Sequence, residues 1–90
     1  MGNIKIGQKD LRDVLIYSFR YTLGRATYSV STVATIIKNN STNLSTPDLG
    51  LYIREINQAI EDEMCGMEMD CLVWKHLAEW LQLELNRREA

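Results

Sequence analysis

The stretch T-P-D-L-G-L-Y-I-R-E-I-N-Q-A-I-E-D-E-M-C-G, residues 46–66, decides the fold class. It opens with Thr46 as N-cap, Pro47 at the first helical position and Asp48 just inside. A side-chain oxygen satisfies an orphan N–H at a helix start, proline there loses no hydrogen bond, and a carboxylate complements the helix dipole. Leu49, Ile53, Ile56 and Ile60, with Tyr52, then recur at the spacing that puts them on one face of an α-helix. The pattern predicts a helix over 47–64, ending near Met64–Cys65, with Gly66 as its terminator.

Toward the C-terminus, Asp70 is the expected cap of a further helix over 71–88. Trp74, Leu77, Ala78, Leu81 and Leu85 line one face of it, and Cys71, Val73, Trp80 and Leu83 widen the apolar surface. Trp74 and Trp80 are six residues apart and point about 120° away from one another, so one is assigned to the core and the other to the surface. Arg87 and Arg88 lie in the last turn, where cations oppose the dipole.

Toward the N-terminus, Leu11, Leu15, Phe19 and Leu23 recur every four residues, with Ser18 and Thr22 between them. They predict a helix over 8–23 ended by Gly24, its opposite face holding Asp13, Tyr17 and Arg20. Val30, Val33, Ala34 and Ile37 predict a short helix over 30–39 capped by Ser29, and a strand from Tyr28 to Ile37 is the competing reading. The tract N-N-S-T-N-L-S after it reads as a polar loop. The chain of 90 residues is therefore expected to be all-α, a single small domain (1–90) of three to four helices.

No apolar run approaches the roughly 20 residues that span a bilayer, and M-G-N-I-K-I-G is neither a signal peptide nor a myristoylation site. The expectation is a cytoplasmic protein in which Cys65 and Cys71 are reduced, buried thiols. A calcium loop through residues 61–72 fails, because Cys65 and Leu72 stand where oxygen ligands are required. Zinc on Cys65, Cys71 and His76 lacks a fourth ligand and a known spacing. No phosphate loop, and no base oriented beside a nucleophile, is legible. The expectation is a protein without enzymatic activity, cofactor or metal.

Charge carries more. Residues 1–45 hold six Lys/Arg against two acids, net +4, whereas residues 46–90 hold four against ten, net −6. Two surfaces of opposite sign suit a charged partner or a second copy of the chain. On the basic side Tyr17, Arg20, Tyr21, Arg25 and Tyr28 combine residue types enriched at interface hot spots. The competing reading has these tyrosines rim the core while the arginines pair with acids of the third helix. On the acidic side Glu61, Asp62, Glu63, Glu68 and Asp70 crowd a helix end, where acids oppose the dipole. Nucleic acid is a further candidate partner. R-A-T-Y-S-V-S-T-V-A-T-I-I-K, residues 25–38, has the outline of a recognition helix, with Arg20, Arg25, Tyr28 and Lys38 for phosphates. That segment lacks early base-reading residues, and the pI of 5.3 is far from a basic footprint.

The block L-R-D-V-L-I-Y-S-F-R-Y-T-L-G-R-A-T-Y, residues 11–28, resembles one in small proteins encoded by phages and prophages of Gram-positive bacteria. G-M-E-M-D-x-x-x-W, Gly66 to Trp74, is similar to a second block in them, and the two cover about a third of the chain. Arg20, Gly24, Arg25 and Tyr28 are the positions shared with the first block. The resemblance implies a phage accessory protein in a bacterial host cell. Such a protein would bind a host or phage protein and inhibit a host defence or nucleic-acid-processing enzyme, CRISPR nucleases included. A small DNA-binding regulator and a self-associating structural component are the alternatives.

Overall fold

The structure is a computed structural model that describes residues 8–25 and 29–89. Among these residues the chain forms α1 (Gln8–Thr22), α2 (Ser29–Asn39), α3 (Thr46–Glu61) and α4 (Glu68–Glu89), and no strand. One turn of 3-10 helix, Ser41–Asn43, joins α2 to α3. The expected all-α domain is what the chain builds.

In α1, Leu15, Phe19 and Thr22 are buried, with Leu11 and Leu23 packed against the core. Gly24 has φ +85°, and a Cβ there would lie 2.8 Å from the Met64 carbonyl oxygen, so both backbone and space require glycine. In α2, Val30, Val33, Ala34 and Ile37 are all buried. That helical stripe decides against the strand over 28–37, because burial along one face outweighs the modest helix cost of β-branched residues.

Several boundaries depart from expectation: α1 ends at Thr22, one residue before the expected 23, and Ser29, expected as the cap of α2, is instead its first residue. Ser45, not Thr46, caps α3: its Oγ accepts from the Asp48 N–H at 3.3 Å, and Pro47 falls in the first turn. Either hydroxyl satisfies the sequence rule; the extended backbone of Ser45 selects it. α3 stops at Glu61, earlier than the Met64–Cys65 end expected with Gly66 as terminator. The Glu63 N–H bonds the Ile60 carbonyl at 3.1 Å and the Met64 N–H bonds the Ala59 carbonyl at 2.7 Å, with Glu63 at φ +58°. This is a Schellman closure with glutamate at the left-handed position that glycine usually fills. α4 starts at Glu68, before Asp70, so Asp70 is not its N-cap. From inside the first turn Asp70 accepts from the Met67 N–H at 3.2 Å, the back-reaching half of a capping box.

The polar tract between α2 and α3 is also more ordered than a loop: Ser41 and Leu44 are buried. Arg88 near the end of α4 donates to the carbonyls of Ser41 (3.0 Å) and Thr42 (3.4 Å), fastening this connection to α4. Arg88 Nε and Arg87 also lie against Glu84, which is buried although it was not among the expected core residues. A carboxylate is buried in this way when cations and hydrogen bonds compensate it.

Arg12 on α1 pairs with Asp48 on α3 at 2.7 Å, and Arg20 with Glu55 at 3.1 Å. The two helices therefore run in the same sense, while the backbone of α1 packs most closely on α2. The Asp48 hydrogen bond, and then its charge, push the Arg12 guanidinium pKa above its ordinary value. Between the two pairs lies the centre of the core. Phe19 meets Tyr52 edge-on at 4.9 Å between centroids and Trp74 edge-on at 5.4 Å, joining α1, α3 and α4. All three side chains are fully buried. Edge-to-face pairs of this kind contribute about 0.5–1.5 kcal/mol each beyond the area they bury.

Among the described residues the Tyr52 hydroxyl and the Trp74 indole N–H are buried without a hydrogen-bond partner. Burial first, and the nearby Asp48 carboxylate second, push the Tyr52 hydroxyl up to about 12. An unfolded tyrosine ionises near 10, so between about pH 10 and 12 the unfolded chain releases a proton that the folded chain keeps. Stability is full below that window and falls through it. Tyr52→Phe is expected to match or exceed the parent at pH 8, by up to about 1 kcal/mol, because it deletes an unsatisfied buried group. Between pH 10 and 12 the parent should lose about 2 kcal/mol more than the variant. Urea unfolding at a series of pH values measures this, and parallel losses in the two proteins would contradict it.

Candidate partner-binding surfaces

The basic candidate residues divide between two tasks. Arg20 is held by Glu55, so one of the expected arginine contacts is internal, and Arg12 does likewise with Asp48. Tyr17 and Arg25 stay on the surface: Tyr17 is 71% exposed and stacks on Tyr21, with ring centroids 6.3 Å apart and planes 18° from parallel. The Arg25 guanidinium lies 4.8 Å above the Tyr21 ring on the next step of the column. Val14, also more than half exposed, precedes the tyrosines on the same face. Tyr28 lies outside the described residues. Of the remaining phosphate-contact candidates, Lys38 sits 4.2 Å over the Trp80 ring. Trp80 is the surface member of the tryptophan pair, at 45% exposed, and its Nε1 donates to Ser41 Oγ at 3.3 Å.

The acidic candidates all belong to one turn. Glu61 ends α3, Asp62 accepts from Gln58 Nε2 at 3.1 Å, and Glu63 occupies the left-handed closure. Glu68 opens α4, and Asp70 bonds the Met67 N–H. Among the described residues Glu61, Glu63 and Glu68 form no ion pair, and all three are exposed.

Cys65 and Cys71 are not free thiols. They form a disulfide that ties the α3–α4 turn to the first turn of α4, with Cys65 in the core. The expectation of reduced thiols followed from compartment; Gly66, at φ +99°, turns the chain so that the two cysteines meet, with Cα atoms 5.2 Å apart. His76, the third residue of the discounted zinc set, is almost fully exposed, and its nearest acid is Glu79 at 4.0 Å.

What the acids concealed in the sequence is methionine. Met64, Met67 and Met69 are each about two-thirds exposed and Leu72 more than half, all within nine residues of the turn. The pattern M-C-G-M-E-M displays them, set among the acids of the same turn. The turn also abuts the end of α1: besides the Gly24–Met64 approach, a Cβ on Gly66 would sit 3.4 Å from the Arg25 carbonyl oxygen. The two candidate surfaces are thus neighbours at one end of the molecule. The chain matches no protein-family model, no curated protein and no solved structure.

The left-handed glutamate has a measurable consequence. A non-glycine residue there costs roughly 1–2 kcal/mol in backbone energy, and an acid at a helix C-terminus opposes the dipole. Glu63→Gly is expected to raise the unfolding free energy by about 1 kcal/mol, read from denaturant midpoints. A fall in stability would mean that Glu63 makes a compensating interaction.

Proposed function

We propose that the protein acts by stoichiometric, non-enzymatic binding to another protein, and that the α3–α4 turn is the surface it presents. The observation that carries this is the cluster of exposed Met64, Met67, Met69 and Leu72, set among Glu61, Glu63 and Glu68 on a turn closed by a disulfide. Solvent-facing apolar groups in this concentration mark an interaction surface. Methionine is flexible and polarisable, so it adapts to an irregular partner surface, while the acidic rim selects a basic one and steers its approach. The disulfide limits the backbone freedom that binding would otherwise freeze.

The protein's own residues support a binding role over a catalytic one. Both thiols are consumed in the disulfide, and the single histidine stands in solvent, 4.0 Å from Glu79. The resemblance to small phage and prophage proteins gives the reading its setting: the partner is a host protein with a basic surface, such as a defence or nucleic-acid-processing enzyme, which binding blocks.

The test compares parent protein with Met64→Ser/Met67→Ser/Met69→Ser as immobilised baits for lysate of a Gram-positive bacterium, read by quantitative mass spectrometry. The expected outcome is a basic protein enriched by the parent, reduced at least about tenfold by the triple variant, and released at high salt. Equal recovery by the two baits would remove the turn as the binding surface. Reduction of the disulfide should lower the unfolding free energy by about 2 kcal/mol, the chain-entropy value for so short a loop. Unchanged denaturant midpoints with and without reductant would show that the bond does not restrain the turn.

A further inference from the structure

The outer face of α1 is separate from that turn in composition and in symmetry. Asp10, Val14, Tyr17 and Tyr21 fall within about 60° of one another around the helix, at 100° per residue. All four are exposed. Arg25 follows the helix end, but its guanidinium returns over Tyr21 and so continues the stripe. The stripe reads acid, valine, tyrosine, tyrosine, arginine from one end to the other. The other basic side chains of α1 near its middle are engaged with α3: Arg12 is held by Asp48 and Arg20 by Glu55. Among the described residues neither Asp10 nor Asp13 forms an ion pair.

We propose that this stripe is a homodimer interface in which two copies pack their α1 helices antiparallel about a twofold axis between residues 17 and 18. That one operation places Asp10 against the partner's Arg25, Val14 against the partner's Tyr21, and the two Tyr17 rings beside the axis. A twofold interface must be complementary to itself, and a stripe with an acid at one end, a cation at the other and apolar groups between satisfies that condition. Antiparallel packing also sets the positive N-terminal end of each helix dipole beside the negative C-terminal end of the other. The Tyr17–Tyr21–Arg25 column is already stacked in the single copy, so pairing immobilises little that was free. Tyrosine and arginine are residue types that concentrate interface energy.

α1 has 15 residues, about 22 Å of helix, and one such face buries less than a standard interface. The dimer is accordingly weak and salt-sensitive. Sedimentation velocity on the purified full chain, from about 10 μM to 1 mM at low salt, should show the mean mass rising from monomer toward dimer. Tyr17→Ala should remove the rise while leaving the circular dichroism spectrum unchanged, since that side chain is 71% exposed and lies outside the core. Asp10→Arg and Arg25→Glu should each weaken association at least about tenfold, and the double variant Asp10→Arg/Arg25→Glu should restore it. A monomer throughout the range overturns the proposal. So does a dimer indifferent to Tyr17→Ala, and so does a double variant no tighter than either single one. The methionine triple variant should dimerise like the parent, which separates this surface from the partner-binding turn.

Discussion

The ring of one phenylalanine ties three of the helices together. Phe19 enters from α1 and packs at right angles to Tyr52 and to Trp74, so α1, α3 and α4 share a single point of close packing. α2 seals the same core with Val30, Val33, Ala34 and Ile37. A domain of this length has room for one core only, and large aromatic side chains let few residues fill it. Their placement carries a local cost: among the described residues two polar atoms, the Tyr52 hydroxyl and the Trp74 N–H, are buried without partners. The core gains area and loses some hydrogen bonding.

The ion pairs follow from that packing. Once Phe19 and Tyr52 are in contact, the register of α1 along α3 is fixed, and Arg12 and Arg20 come opposite Asp48 and Glu55. Part of the charge asymmetry between the two halves of the sequence is therefore cancelled inside the fold. What remains outside is the stacked Tyr17–Tyr21–Arg25 column and the acidic, methionine-bearing turn. They are brought together where the Gly24 and Gly66 backbones each leave no room for a side chain without displacing a neighbour.

The helices were legible because their apolar residues keep a 3.6-residue period: every position of the α2 stripe is buried, as are Leu15, Phe19, Trp74, Leu77, Ala78 and Leu81. Helix ends were less so. A choice between Ser45 and Thr46 as cap depends on the backbone conformation of one residue, and a glutamate at a left-handed closure leaves no signal in composition. Glu84 reads as a surface residue until Arg87 and Arg88 fold over it. For the candidate surfaces, residue type revealed the arginines and acids but not their tasks. Arg20 and Arg25 look equivalent in sequence, and only the register of α1 on α3 gives one to Glu55 and leaves the other to a tyrosine ring. The disulfide was hidden for a different reason, since it depends on a turn geometry that six residues of spacing do not dictate.

The unfavourable local choices are not scattered. Acids at a helix C-terminus, a non-glycine residue at positive φ and exposed methionines each lower stability or solubility by a modest amount, and all three occur between Glu61 and Leu72. The fold does not require any of them, because glycine would make the same left-handed closure as Glu63 and Asp70 already bonds the first turn of α4. The same segment carries the disulfide, which restrains the backbone without contributing to the apolar face. A restraint placed where local preference is weakest keeps a surface in one shape that its own sequence would not hold. That combination supports the proposal that this turn binds a partner, because it joins the acids and the methionines in one restrained segment.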